Sequence, residues 1–408
     1  MAQLPIGEPA PADGLLPDSV QAASPLSFHA YVHVPFCRVR CGYCDFNTYT
    51  ADELDGVRQD SFADQLSAEI AFSRGVLNKS GFNARPLSSV FFGGGTPTQL
   101  PATDLVALLN NLKETFGIGA GAEITTEANP DNVDLDYLRQ LKDGGFTRIS
   151  FGMQSAVTSV LKVLDRSHTP ERVPEVVALA KQVGLQTSVD LIYGAPTETI
   201  ADWEATIAAA LALDTDHISA YSLIVEPGTK MARQISKGGL PEPDEDEQAT
   251  KYEIAEAAFT AAGFQWYELS NWAKSPELAS QHNVAYWQGK NWWGYGPGAH
   301  SHVGGVRWWN QKHPSSYVKS LAQIGSPALG RETLSATTQL EEQVLLQIRL
   351  RSGLNIQVLK DLGVYQPQIV AGLIADGLIE PASALRGLIV LTLRGRLLAD
   401  SVVRSLIA

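Results

Sequence analysis

The sequence predicts an α/β fold in which parallel strands alternate with helices. Between residues 28 and 223, short β-rich runs alternate six times with longer helical patterns, which is typical of repeated β-α units around a parallel sheet. Six units are too few for a closed eight-stranded barrel, so an incomplete barrel and an open doubly wound sheet are the two architectures left. In either one, ligands should gather at the carboxyl ends of the strands.

The elements follow one another in order along this part of the chain. Strands are predicted at residues 28–35, 87–92, 122–128, 147–152, 185–193 and 217–223. Helices are predicted between them at residues 60–74, 103–116, 134–143, 171–183 and 200–213. Residues that follow a strand directly are therefore the first candidates for a functional site.

The chain changes in composition after residue 225. Seven of its eight tryptophans lie between Trp266 and Trp309. From about residue 331, three short helical patterns (338–350, 356–362 and 366–376) precede a β-like run at 388–393, which outlines a small winged-helix-like α+β domain. We therefore divide the chain into a disordered N-terminal extension (1–27), a β-α barrel (28–225), an aromatic-rich region (226–330) and a winged-helix-like domain (331–408).

Composition excludes several classes of protein. The net charge of −13 argues against nucleic acid as a partner, because proteins that bind phosphate backbones usually carry a basic face. No apolar stretch approaches the roughly 18 to 20 residues needed to span a bilayer. Residues 1–27 contain five prolines and no Lys or Arg, unlike a secretory signal. We interpret them as a disordered extension of a cytoplasmic protein.

All three cysteines, Cys37, Cys41 and Cys44, lie within eight residues directly after the first predicted strand. An odd, clustered set cannot form a disulfide framework and suits a reducing compartment. Three thiolates on one loop can hold three irons of a [4Fe–4S] cluster and leave the fourth iron open. A structural zinc with His33 as fourth ligand and a redox thiol cluster are the alternatives. The spacing favours iron–sulfur, because structural zinc sites usually take paired ligands from separate loops.

The CxxxCxxC spacing after the first strand resembles the radical S-adenosylmethionine (SAM) superfamily. That resemblance implies a partial (β/α)6 radical SAM barrel followed by the winged-helix-like domain. It also implies that SAM chelates the open iron and is cleaved to a 5′-deoxyadenosyl radical. Residues 31–37 (YVHVPFC) resemble the oxygen-independent coproporphyrinogen oxidase branch of the superfamily, and the likeness extends from residue 28 to the C-terminus.

The same resemblance implies a set of SAM-binding residues. The glycine motif in FGGGTP would meet the methionyl end of SAM, and polar residues at or after the next strand ends would bind its other groups. Arg166 could form a charge-assisted pair with the SAM carboxylate, while Glu127 and Asp190 could accept hydrogen bonds from the ammonium or the ribose. Taken singly, each polar residue is more often a helix cap or a surface ion pair, and the two tyrosines could belong to ordinary packing. Together, at successive strand ends, the polar residues favour a bound ligand. The full set is Tyr31, Tyr43, Gly94, Gly95, Thr96, Glu127, Gln154, Arg166 and Asp190.

Within this branch, the sequence resembles the HemW-type haem chaperones more than the dehydrogenases. Dehydrogenases carry CxxxCxxCxC, whereas Phe46 stands at the position of their further cysteine. Residues 267–272 (YELSNW), 282–287 (HNVAYW) and 294–301 (GYGPGAHS) also match the chaperone type.

A haem-binding protein needs an axial donor and an apolar wall. His282 is the candidate donor, with an aromatic core as the alternative interpretation of its surroundings. His300 and His302 are competing donors, and His217 is expected to pack within a strand. The expected aromatic wall consists of Trp272, Tyr286, Trp287, Trp292 and Trp293.

Three functions remain. The preferred one is a haem chaperone that passes haem to an unidentified acceptor protein and carries a three-cysteine [4Fe–4S] cluster with exchangeable SAM. The second is an oxygen-independent coproporphyrinogen III dehydrogenase. The third is a non-catalytic metal-binding regulator with the C-terminal domain as a nucleic-acid arm, which that domain's nearly balanced charge disfavours. No catalytic residue is assigned.

Overall fold

The computed structural model describes residues 7–407, and most of its strands join one mixed sheet. The strands of this sheet are β1 (Glu8–Pro9), β2 (Phe28–Val34), β3 (Leu87–Gly94), β4 (Ile118–Ala128), β5 (Arg148–Gln154), β6 (Gln186–Tyr193), β7 (His217–Ser222), β8 (Gln265–Glu268), β9 (Asn271–Ala273), β10 (Asn291–Tyr295), β11 (His300–Val303), β12 (Val306–Asn310) and β13 (Ala328–Thr333). Their spatial order is β1-β13-β12-β11-β10-β2-β3-β4-β5-β6-β7-β9-β8. The two edge strands, β1 and β8, do not pair with each other, so the sheet is open.

Helices connect and cover these strands. Those of the main body are α1 (Phe62–Lys79), α2 (Ala102–Phe116), α3 (Leu135–Asp143), α4 (Thr158–Val163), α5 (Arg172–Gln182), α6 (Ile200–Ala212), α7 (Lys230–Ser236), α8 (Glu245–Ala261), α9 (Gln281–Trp287) and α10 (Pro314–Ile324). The six parallel strands β2 to β7 and the helices between them match the predicted elements, most of them to within a few residues. Among residues 7–407, no helix is both long and apolar enough to cross a membrane.

Side chains alternate between the two faces of the parallel strands. On β5 and β6, Phe151 and Val189 are buried in the main hydrophobic core. Their neighbours Ser150 and Ser188 point to the other face and line a cavity. A parallel sheet that is buried on both faces carries near-continuous apolar runs, so this polar alternation marks the inner face as a ligand-facing surface.

The aromatic-rich region does not form a separate layer. It adds a seventh parallel strand, because β10 pairs with β2 and places Trp293 opposite Ala30. Strands β11 to β13 continue the sheet beyond β10, and β8 and β9 extend its other edge. The predicted division at residue 225 therefore falls inside one continuous sheet.

The N-terminal segment differs from the expected disorder. Within it, β1 pairs with β13, and Leu16, Val20 and Ala23 are buried in the main core. The side chain of Arg331 donates to Oε1 of Glu8 at 2.7 Å. The prediction of disorder is therefore wrong for residues 7–27: the prolines lie in turns and extended backbone, which they tolerate, while the apolar residues pack. Residues 1–6 lie outside the described part of the chain.

The C-terminal residues form a second, smaller core. Its elements are α11 (Ala336–Gln347), β14 (Leu354–Asn355), α12 (Ile356–Asp361), α13 (Pro367–Ala375), α14 (Pro381–Ala384), β15 (Leu388–Ile389), α15 (Leu393–Leu397) and α16 (Ala399–Ile407). Three helices and the antiparallel β14–β15 pair follow the winged-helix-like outline. The predicted run at 388–393 is shorter than expected, because the Thr392 side chain accepts a hydrogen bond from the Gly395 amide and caps a further helix.

Candidate functional site

A cavity of about 670 Å³ lies at the carboxyl ends of the parallel strands. This is a volume typical of ligand pockets. The structure brings together around it the three cysteines, the predicted SAM-binding residues and His282. They are Tyr31, Cys37, Cys41, Tyr43, Cys44, Gly94, Gly95, Thr96, Glu127, Gln154, Arg166, Asp190 and His282. Their placement at one cavity follows from the fold, whereas their individual roles stay predictions.

The three cysteines are free, half-buried thiols on the loop after β2. Within residues 7–407, no three His, Cys, Asp or Glu side chains are arranged to hold a single metal ion. Burial raises the pKa of the Cys37 thiol, and it raises that of Cys44 to about 11. Nη1 of Arg166 lies 3.5 Å from Sγ of Cys41. A thiolate on this loop therefore requires nearby positive charge, which bound iron supplies.

His33, the possible fourth ligand of a zinc site, has both ring nitrogens engaged. Nε2 lies 2.9 Å from the carbonyl oxygen of Asn47, which can only accept, so Nε2 carries the proton and donates. Nδ1 then accepts from the hydroxyl of Tyr31 at 3.0 Å. The ring is thus held by two hydrogen bonds, and the structure leaves it no free nitrogen for a metal.

The glycine motif after β3 is joined to the cysteine loop by its backbone. The amides of Gly95 and Thr96 donate to the carbonyls of Val34 and Phe36, each at 2.8 Å. A Cβ atom on Gly95 would lie 2.7 Å from the Phe36 oxygen. Glycine is therefore required here because two backbones approach closely.

Replacing Gly95 by alanine should lower the free energy of unfolding by about 1–3 kcal/mol, because backbone atoms must move to admit the methyl group. Gly75→Ala is the matched control. Gly75 lies in α1, and nothing lies within 4 Å of an added Cβ, so the substitution should stabilise the helix by up to about 1 kcal/mol. Denaturant unfolding of both variants would check the pair; equal stabilities would contradict the close approach at Gly95.

Two carboxyl groups face the cavity from neighbouring parts of the sheet. Desolvation and the nearby Asp190 raise the pKa of Glu127 to about 8, although the Gly94 amide donates to its Oε2 at 3.2 Å. Desolvation also raises the pKa of Asp190, against hydrogen bonds such as that from Ser150 at 2.9 Å. Perturbed acids in a cavity are typical of ligand sites. A ligand that brings an ammonium group or hydroxyl donors would favour their ionised forms.

Arg166 lines the cavity and can donate a further hydrogen bond to a ligand. Its Nη2 donates to the carbonyl of Gly152 at 2.8 Å, and its buried Nε has no hydrogen-bond partner within the described part of the chain. Gln154, at the end of β5, has a φ of +63°, which is uncommon for a residue with a side chain and recurs at functional sites. These groups fit a ligand that carries a carboxylate beside the cysteine loop.

His282 lies in the first turn of α9. Its side chain is only 2% exposed and has a pKa well below the usual 6.5 because burial disfavours the charged ring. Nδ1 lies 2.8 Å from Oγ of Ser89, and Nε2 has no hydrogen-bond partner among residues 7–407. The ring packs against Phe91 and Tyr286, at centroid distances of 5.3 and 4.7 Å. A neutral imidazole with an unpaired nitrogen is a possible metal ligand.

The wall beside His282 agrees with the predicted set at Tyr286, whereas the predicted tryptophans do not line the cavity. It is formed by Tyr31, Phe91 and Tyr286. By contrast, Trp272 and Trp293 are buried in the main core. Spacing along the sequence could not separate core tryptophans from cavity-lining aromatics, because both kinds occur in the same segment.

The other histidines are weaker candidates for a haem ligand than His282. His300 and His302 do not line the cavity. His217 does, but its Nδ1 lies 2.8 Å from Oγ of Ser188 and its Nε2 lies 2.8 Å from the hydroxyl of Tyr267. Both of its nitrogens are therefore engaged, in agreement with its predicted packing role.

Sequence reasoning missed the ion pair that positions α9. Glu123 accepts hydrogen bonds from the amides of Gln281 and His282, at 3.1 and 3.3 Å, and from the hydroxyl of Ser280 at 3.2 Å. Its Oε2 also lies 2.9 Å from Nη1 of Arg148, and both side chains are almost fully buried. Glu123 occupies the same face of β4 as Glu127, so two-residue periodicity was the signal that could have identified it.

Comparisons with known proteins identify the family of this chain. Residues 31–210 match the family model of the radical SAM superfamily. The heme chaperone HemW of Mycobacterium tuberculosis is 43% identical over 93% of this chain and 95% of its own length. The chain belongs to the HemW family of radical SAM proteins. HemW of Bacillus subtilis is 32% identical over 91% of this chain and 97% of its own length.

A solved structure agrees with the fold. Coproporphyrinogen III oxidase (HemN) from Escherichia coli matches with a TM-score of 0.79 and 24% identity, over 95% of this chain and 92% of that chain. The predicted resemblance to the HemW type and the radical SAM α/β fold are thus confirmed. Membership of the superfamily implies a [4Fe–4S] cluster and SAM as cofactors.

Proposed function

We propose that this protein binds haem in its cavity and transfers it to an acceptor protein. Support comes from the HemW relatives named as heme chaperones. The observation that carries the proposal is the unpaired Nε2 of His282, a buried neutral imidazole in the wall of the cavity. It offers the axial nitrogen that haem iron requires.

The cavity also has an apolar rim. Val39, Phe46 and Ile224 line the cavity and are 55%, 66% and 69% exposed. Exposed apolar groups gathered around one opening are typical of binding sites. A flat, apolar macrocycle could cover these side chains while its iron meets His282. The rim is also where an acceptor protein would have to approach to take haem away.

We further propose that Cys37, Cys41 and Cys44 hold the cluster and that exchangeable SAM occupies its open iron. Arg166 would bind the SAM carboxylate, and the acids Glu127 and Asp190 its donor groups. Tyr31, Tyr43, Gly94, Gly95, Thr96 and Gln154 complete the proposed SAM site. When bound, the cluster supplies an electron and a Lewis-acidic iron. The free thiols suit a reducing compartment, and we propose the cytoplasm.

Replacing His282 by alanine should weaken haem binding at least about tenfold and leave the iron–sulfur content unchanged, because one tenfold step is only 1.4 kcal/mol of ligand free energy. The measurement is a titration of anaerobically reconstituted protein with ferric haem, followed at the Soret band. His300→Ala is the matched control, since this histidine does not line the cavity. An unchanged titration of the His282 variant would remove it as a ligand.

Coproporphyrinogen III oxidation is the competing activity. The likeness to HemN supports the fold alone, and Phe46 stands at the position of the dehydrogenases' further cysteine. Anaerobic incubation with SAM, a reductant and coproporphyrinogen III should therefore yield no protoporphyrinogen. Its formation would replace the chaperone proposal with the dehydrogenase. The same preparation should form a stable haem complex in the parallel titration.

A further inference from the structure

A chain of hydrogen bonds runs through the sheet to His282. Nε2 of His29 lies 2.9 Å from Oγ of Ser27, and Nδ1 of His29 lies 2.8 Å from Oγ of Ser89. The same Ser89 oxygen lies 2.8 Å from Nδ1 of His282. The chain therefore starts at a half-buried serine and ends at the unpaired Nε2 in the cavity wall.

Each ring in this chain carries one proton. His29 and His282 are 4% and 2% exposed, and burial of this kind favours the neutral imidazole. A neutral imidazole has one N–H donor and one bare nitrogen, and a serine hydroxyl donates a single proton. Ser89 can therefore donate to only one of the two histidines and must accept from the other.

Two arrangements use the Ser89 proton within this chain. In the first, Ser89 donates to Nδ1 of His29 and accepts from Nδ1–H of His282, so Nε2 of His282 keeps its lone pair. In the second, every bond is reversed and Nε2 carries a proton. Of these two arrangements, only the first can ligate iron.

We propose that Ser89 and His29 are positioning residues that hold His282 in the tautomer with the Nε2 lone pair when haem is bound. This inference rests on the proposed function. A hydrogen bond from Nδ1–H to an oxygen also makes the imidazole a stronger donor to iron. Ser89 thus both fixes the orientation of the ring and strengthens the bond from Nε2 to the metal.

A similar hydrogen bond outside the cavity provides a matched control. Oγ of Ser315 lies 2.8 Å from Nδ1 of His313, the same distance as between Ser89 and His282. Nε2 of His313 lies 3.1 Å from the carbonyl oxygen of Glu53. Neither Ser315 nor His313 lines the cavity, so removing this hydroxyl perturbs a Ser–His pair without touching the ligand nitrogen.

The test compares Ser89→Ala, Ser89→Thr, His29→Leu and Ser315→Ala in the reconstituted full-length protein. Ferric haem titration should give a dissociation constant about 10- to 100-fold higher for Ser89→Ala, the usual effect of losing an outer hydrogen bond to a ligating histidine. The reduction potential of the bound haem should become more positive in the same variant. His29→Leu should also raise the dissociation constant and make the reduction potential more positive, because Ser89 is then free to donate to His282.

Two outcomes separate this inference from the proposed function. Ser89→Thr, which keeps the hydroxyl, and Ser315→Ala, which lies outside the cavity, should both resemble the wild type in affinity and potential. If wild-type protein binds haem and His282→Ala weakens it, but Ser89→Ala keeps the wild-type affinity and potential, only the positioning role is overturned. If wild-type protein fails to bind haem, the chaperone proposal and the positioning role are both overturned.

Discussion

Replacing Cys41 by alanine should reduce the iron content of anaerobically reconstituted protein from about four atoms per chain to near zero. The three cysteines are the only ones in the chain, so no spare thiol can take the place of the lost ligand. Two thiolates on a loop hold a four-iron cluster far less well than three, because each cluster iron without a protein ligand is open to solvent and loss.

Cys41 is also the cysteine closest to the proposed SAM carboxylate partner, because Nη1 of Arg166 lies 3.5 Å from its sulfur. The variant should therefore lose SAM binding together with iron, measured by equilibrium dialysis beside the iron and sulfide analyses. The His282→Ala variant is the matched control and should keep both. Full iron retention in Cys41→Ala, or stoichiometric zinc in the wild type, would contradict the three-cysteine cluster.

The fold was predictable where it depends on local pattern. The predicted strand at residues 185–193 is β6, Gln186–Tyr193, and the predicted helix at residues 200–213 is α6, Ile200–Ala212. β4 begins at Ile118, four residues before its prediction, because the glycines at 119 and 121 do not resemble a strand. Strand β10 was not predictable as a neighbour of β2, since its partner lies far earlier in the chain.

The site was predictable for a related reason. Parallel strands share one carboxyl edge, so Glu127, Gln154 and Asp190 had to lie close together once the strands were identified. The residues that orient His282, which are Ser89 and Glu123, were not predicted from the sequence. Ser89 and Glu123 lie inside strands, and only the three-dimensional register shows that both reach α9.

The buried pair of Glu123 and Arg148 should have the largest effect on stability. Glu123→Gln keeps the shape of the side chain and one oxygen, which can accept from the His282 amide, but it removes the acceptor of the Gln281 amide and the charge opposite Arg148. The guanidinium, 2% exposed, is then left without a counterion. Breaking a buried pair in this way costs about 3–5 kcal/mol. The midpoint of denaturant unfolding should fall accordingly.

A second substitution distinguishes lost charge balance from lost shape. Glu123→Gln combined with Arg148→Met removes both charges and should recover part of the lost stability. Recovery will be incomplete, because Arg148 also donates to the Leu278 carbonyl at 2.6 Å and to Gln186 at 3.1 Å, and these acceptors would lose their partner. Asp136→Asn, in an exposed pair with Arg139, is the control and should change stability by less than about 1 kcal/mol.

Variants at residue 123 also test whether haem binding depends on the position of α9. Glu123 fixes the first turn of α9 through the amides of Gln281 and His282, so the position of the His282 ring depends on an acceptor at residue 123. Glutamine retains an oxygen that can accept from the His282 amide, so the double variant should bind haem nearly as well as the wild type despite its lower stability. Glu123→Ala with Arg148→Met lacks the acceptor and should bind haem more weakly. Equal haem affinity in these two double variants would mean that α9 keeps its place without residue 123.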